Sequence, residues 1–197
     1  GLVVIDLEER SAVAETLSVD GEDMRGYFSL NQDGSVLLID QVDGMQRYRS
    51  DTLEKIGSPV SIDLTKVDVK FALSPDARTI ATVALGETRL YDATTGDQLW
   101  SSRGAGSFFR PAFSPDGSAI LVTDINGSVH RLDTTDGTIQ WSTLLAPEVI
   151  IGTGWSADGR LVTASTFASE RVFVLDAASG EVALDRQIGW AGAVTPD

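Results

Sequence analysis

His130 is the one histidine in this 197-residue sequence, and so the one side chain whose ordinary pKa suits general-base work near neutrality. Such work needs a positioned partner and a second group that orients the ring. His130 stands in a run patterned as a strand, and it reads as a strand-surface residue with no triad around it. The Asp-Gly pairs that begin at Asp33, Asp43, Asp116, Asp136 and Asp158 raise the question of calcium. None follows the spaced Asp/Asn pattern of a calcium loop, and turn chemistry explains them. Gly104-Ala105-Gly106 and Gly152-Thr153-Gly154 precede no helical pattern, so they are poor phosphate cradles. The expectation is no catalytic residue, no metal site and no cofactor.

Binding chemistry is better represented. Tyr27, Lys70, Phe109, Arg110 and Trp190 combine aromatic rings with cations, the types that anchor protein interfaces. They form a candidate interaction face only if the chain brings them to one side of the molecule. That depends on the elements that carry them.

The stretch "SPDGSAILVTDINGSVHRLDTTDGTIQW", residues 114–141, shows those elements most clearly. Apolar and polar residues alternate over 119–123 and 129–132, the pattern of half-buried strands. Asn126-Gly127 between them is a hairpin turn. The order turn, strand, turn, strand, Asp, turn recurs upstream in "FALSPDARTIATVALGETRLYDATTGDQLW" and downstream in "GWSADGRLVTASTFASERVFVLDAASGEVAL", with weaker copies in "FSLNQDGSVLLI" and "VVIDLEERSAV". The turn residues Asp33, Asp76, Asp116, Asp158 and Asp197 are spaced by 43, 40, 42 and 39. A second set, Asp6, Arg49, Asp92, Asp133 and Asp176, repeats at 43, 43, 41 and 43. Repeats of about 40 to 45 residues with four strands each are the signature of β-propeller blades. Two residues before each "SPDG"-type turn the residue is small (Ser29, Ala72, Ala112, Gly154, Ala193), and the next is bulky (Leu30, Leu73, Phe113, Trp155, Val194). Small residues fit strands that converge on an axis, and their bulky neighbours fill the space between blades.

The fold read from these repeats is all-β: a propeller of four-stranded antiparallel blades, four complete and partial ones at both ends. The blades are assigned to 24–64, 65–106, 107–148 and 149–188, with 1–23 ending one blade and 189–197 starting another, all within a single propeller domain. "SPDGSAILVTDINGSVHRLDTTDG" resembles a WD-repeat blade, although the Trp-Asp pair is degenerate: Ile5, Tyr48, Tyr91, Leu132 and Leu175 stand where Trp is usual. "YDATTGDQLW" and "RLDTTDGTIQW", with Trp100 and Trp141 four residues after Gly96 and Gly137, are similar to repeats of quinoprotein-like propellers.

Composition narrows the function. The net charge is −14, from 15 basic and 29 acidic residues, and no Lys/Arg cluster supplies the footprint that nucleic acid requires. No apolar run reaches the ~20 residues of a membrane helix, and the first ten residues lack the basic start and cleavage site of a signal peptide. Cys is absent, so the redox compartment is unmarked; the reading leans to the cytoplasm. The preferred function is a non-catalytic protein-interaction, scaffold or sensor module of a larger bacterial regulatory protein, with a protein or peptide partner. The alternative, implied by the quinoprotein resemblance, is a cofactor-binding or enzymatic propeller. The sequence begins on a third strand and stops within a turn, which leads to the expectation that further blades, or another copy, pair with its ends.

Overall fold

The alternating runs become strands, and the Gly-bearing turns between them become hairpins. The computed structural model describes residues 4–6, 11–14, 27–41, 44–62, 69–84, 86–105 and 109–187. After a two-stranded pair, β1 (Val4–Asp6) and β2 (Ser11–Ala14), come four antiparallel sheets of four strands. The first holds β3 (Phe28–Leu30), β4 (Val36–Gln41), β5 (Gly44–Arg49) and β6 (Lys55–Val60). The second holds β7 (Lys70–Leu73), β8 (Thr79–Ala84), β9 (Glu87–Asp92) and β10 (Gln98–Arg103). The third holds β11 (Ala112–Phe113), β12 (Ala119–Thr123), β13 (Ser128–Asp133) and β14 (Ile139–Leu144), and the fourth β15 (Ile150–Trp155), β16 (Leu161–Thr166), β17 (Arg171–Asp176) and β18 (Val182–Gln187). Each strand bonds only its neighbour in sequence, and no helix occurs among the described residues. These sheets are propeller blades.

The residues of the second ruler fall at strand ends: Asp6, Arg49, Asp92, Asp133 and Asp176 each close the third strand of their copy. All five residues of β12 are buried, not alternate ones as the sequence pattern suggested, because a blade is covered by neighbours on both faces. The first strands lie nearest the axis, and in the first three blades they are short, at three, four and two residues. β11 is confined to two residues because Pro111 has no N–H to give a ladder.

The "SPDG" motif closes each first hairpin by the same bonds. Asp33, Asp76, Asp116 and Asp158 accept the amide two residues on, at 2.8, 3.1, 3.0 and 3.0 Å. The serine at the head of the turn accepts the amide five residues on: Thr79 to Ser74, Ala119 to Ser114 and Leu161 to Ser156, at 3.0, 2.9 and 3.0 Å. In the first blade Asn31 replaces serine, and its Oδ1 accepts from Val36 at 2.9 Å. These carboxylates are turn caps, as the composition of the turns suggested.

Blades are joined by tryptophan. Trp100 Nε1 donates across to Thr134 O at 2.8 Å, and Trp141 Nε1 to Ala177 O at 3.0 Å. Each indole lies on a glycine of the next blade: a Cβ on Gly137 would be 2.5 Å from Trp100, and one on Gly180 would be 2.7 Å from Trp141. Between the first and second blades Val60 takes the indole's place, over Gly96, within an apolar cluster that includes Leu38, Met45, Phe71 and Tyr91.

Candidate functional site

An antiparallel four-stranded blade has two ends. The start of the first strand, the turn between second and third strands, and the end of the fourth strand share one of them. Tyr27, Lys70 and Arg110 stand at or just before the start of the first strand in three successive blades, so the topology delivers them to one mouth of the axis. Their side chains meet there. Lys70 Nζ donates to Tyr27 Oη at 2.7 Å and lies 4.0 Å from the centre of the Tyr27 ring. Arg110 Nη1 reaches the first blade and donates to Phe28 O at 3.0 Å, its guanidinium 5.8 Å from the Tyr27 ring centre and 6.0 Å from that of Phe28. Two cations and two rings from three blades therefore form one cluster, in which Arg110 and Phe28 are exposed. Phe109 adjoins it, half-buried. Trp190, the fifth residue of the expected face, lies outside the described residues, as does Asp43 among the Asp-Gly pairs.

Nothing in the residue pattern marks Phe28. What recruits it is its backbone carbonyl, which Arg110 finds across 82 residues of chain.

At the other mouth the first strands line an open pocket of about 360 Å³, formed by Ser29, Ala72, Ala112 and their bulky neighbours Leu30, Leu73, Phe113 and Trp155. Leu73, Phe113 and Trp155 each join an interblade cluster, as the repeat pattern implied. Leu30 does not; it is exposed. Trp155 Nε1 is satisfied by Ala112 O at 3.0 Å.

His130 corrects the reading of a lone surface residue. It is buried, and both ring nitrogens are engaged: Nδ1 with Ser142 Oγ at 2.7 Å and Nε2 with Asp124 Oδ2 at 3.2 Å. Strand register brings Ser142 opposite His130, and the tight turn after β12 brings Asp124 back. The Asp124 carboxylate only accepts, so Nε2 carries the proton and Nδ1 receives the Ser142 hydroxyl. Asp124 also accepts from Asn126 N at 2.8 Å and Ser128 N at 2.9 Å. Burial pushes the Asp124 carboxyl upward, but these amide bonds and His130 outweigh it and hold the pKa below its ordinary value. The three residue types are those of a hydrolase triad, but the ring nitrogens are exchanged, with serine on Nδ1 and aspartate on Nε2; Asp124 spans the turn and His130 ties it to β14. The signal was present in sequence only as an Asp six residues before a His, across an Asn-Gly turn.

With this geometry in place, comparison with known proteins supplies the family. The family described as "Outer membrane protein assembly factor BamB" matches residues 32–194. The chain belongs to that family. A BamB-type propeller is of the quinoprotein-like kind, so the repeats around Trp100 and Trp141 carried the better resemblance, and the WD pattern is not what the family supports. Among solved structures, the crystal structure of BamB from Moraxella catarrhalis is similar, with 15% sequence identity, a TM-score of 0.60 and 86% of this chain covered. The chain spans about half, 52%, of that BamB. No curated protein matches the sequence. Among the described residues no helix is long and apolar enough to cross a membrane. Within this BamB-type fold the Nε1 groups of Trp100 and Trp141 are spent on blade joints.

Proposed function

We propose that this BamB-family propeller is a non-catalytic interaction module of a larger bacterial regulatory or assembly protein, with blades at 24–64, 65–106, 107–148 and 149–188, and that it receives a protein partner at the axial mouth. The observation that carries the proposal is the cluster of Tyr27, Phe28, Lys70 and Arg110, drawn from three blades onto a scaffold whose turns and joints are internally bonded. Rings beside cations supply contact area and orientation together, and the rigid ring lowers the ordering cost of binding. That the matching family is described as an assembly factor agrees with this reading.

A photoreactive phenylalanine analogue placed at Phe28 in cells tests it. A discrete protein adduct is expected at Phe28, lost with Arg110→Glu, and absent from the same analogue at Leu161 on the opposite end. Absence of any protein adduct at Phe28 would refute the mouth as a binding face. A purified chain that carries a stoichiometric chromophore absorbing beyond the tryptophan band would instead support the cofactor-binding alternative.

A further inference from the structure

The same end of the molecule carries a second surface, away from the axial mouth, on the third and fourth blades. Three segments are laced together there. Leu145 N donates to Gly127 O at 3.0 Å, which ties the turn after β12 to the connector leaving β14. Phe167 N donates to Val149 O at 3.2 Å, and Glu148 Oε2 accepts the amides of Ala168 and Ser169 at 2.8 and 3.0 Å, with Ser169 Oγ on its other oxygen. Gly127 lies so close to Ala146 O and Glu148 O that a Cβ there has no room. The turn is also clamped from beneath by Asp124 and His130. This is a fixed platform, and its backbone groups are largely satisfied internally.

What the platform displays is apolar. Ile125 is 61% exposed, Leu144 65%, Val149 40% and Phe167 57%. Solitary exposed apolar residues are ordinary, but a group held outward on adjoining loops marks a contact surface. The adjacent Leu145 and Ile150 face the core cluster beneath, so core packing does not explain why their neighbours are also large and apolar. The rim is acidic: Glu148 and Glu170 border it, each half-buried, with the Asp124 carboxylate beneath the turn, while Arg171 is neutralised by a two-pronged pair with Asp185. The whole chain, at −14, reinforces that sign.

We infer that Ile125, Leu144, Val149 and Phe167 form a docking platform for an amphipathic segment of a partner protein, whose apolar side chains are flanked by Lys or Arg. Apolar contact supplies the binding, and the acidic rim selects basic flanks and speeds encounter. The inference rests on the reading of the chain as an interaction module, but it uses none of the axial residues.

The test is fluorescence anisotropy with three labelled peptides of equal length: an amphipathic Leu/Lys peptide, its Leu/Glu counterpart and a Ser/Lys peptide of the same charge. The Leu/Lys peptide is expected to bind the wild-type chain, with the other two weaker by about tenfold or more. Phe167→Ser combined with Ile125→Ser removes two exposed apolar side chains; circular dichroism checks that the fold is kept, with Ile125→Ser alone as the milder variant, and Leu/Lys affinity falls by about tenfold or more. Equal binding of the Ser/Lys peptide, or unchanged Leu/Lys binding by the double variant, would overturn the platform in favour of general adhesion to an acidic surface. A self-associated chain that turns monomeric in the double variant would also overturn it, in favour of a second copy as occupant. None of these results touches the adduct at Phe28, so the platform and the axial mouth fail separately.

Discussion

Replacing Gly137 by Ala tests the tryptophan joint by arithmetic. Gly137 has φ +73°, a conformation that costs an L residue about 1 to 2 kcal/mol. Gly34 has nearly the same φ, +72°, with nothing within 4 Å of the place a methyl would take, so Gly34→Ala measures the backbone cost alone. At Gly137 the added methyl would come within 2.5 Å of Trp100 Cε3, so the buried indole must move. Overpacking of that kind costs about 1 to 3 kcal/mol, and loss of the Nε1 bond to Thr134 O costs about 1 kcal/mol more. The expected totals are about 3 to 6 kcal/mol for Gly137→Ala against about 1 to 2 kcal/mol for Gly34→Ala. Urea unfolding followed by circular dichroism reads both without relying on indole fluorescence. In a Trp100→Leu background, which leaves the methyl room, the cost of Gly137→Ala should drop to that of Gly34→Ala. Equal costs in the wild-type chain, or a penalty at Gly137 that persists without Trp100, would refute the joint as described.

Acid should weaken the fold in a way traceable to the turns. The carboxyls of Asp116, Asp158 and Asp176 are held below the ordinary 3.8, chiefly by the Ser114 hydroxyl, the Ser156 hydroxyl and the Ser179 amide respectively. Because the folded state binds these protons less tightly than the unfolded state, their contribution is complete above pH 3.8 and is lost as pH falls through the lowered values. Asn at the three positions keeps an acceptor without the titration, so the slope of urea midpoint against pH below that value should flatten; an unchanged slope would count against the turn carboxylates. Replacing His130 by Phe leaves Asp124 and Ser142 without their partner and should cost about 1 to 3 kcal/mol. Hydrogen exchange at Asn126 and Ser128 should quicken beyond the global loss of stability, and exchange that follows the global change alone would deny His130 its role as clamp.

The fold was legible because its determinants repeat. Turn Asp, strand-closing Asp and the small–large pair recur in register, and each answers to a local bond or to blade packing, so periodicity alone exposes them. Tyr27, Lys70 and Arg110 could be aligned as equivalents for the same reason, which placed them at one mouth. The particular contacts could not be read. Arg110 binds a backbone carbonyl in another blade, and a carbonyl has no letter of its own. The environment of His130 was misread because Ser142 becomes its partner only through the β13–β14 register, which a bulge between Arg131 and Leu132 shifts. The exposed set Ile125, Leu144, Val149 and Phe167 looks in sequence like any other strand-end residues; only the loop geometry turns those side chains outward.

The tryptophan joints also set an order of events in time. Every strand pairs with its chain neighbour, so a blade can form from its own hairpins without waiting for a distant segment. The indole that secures it points forward, to a carbonyl 34 residues later for Trp100 and 36 for Trp141. On a ribosome working at about 5 to 20 residues per second, each receiving carbonyl is synthesised roughly 2 to 7 s after its indole. From the second blade onward assembly therefore runs from the N-terminal side, the second and third blades each holding out one unsecured ring until the successor arrives, and during that interval the exposed indole is the surface a chaperone would meet.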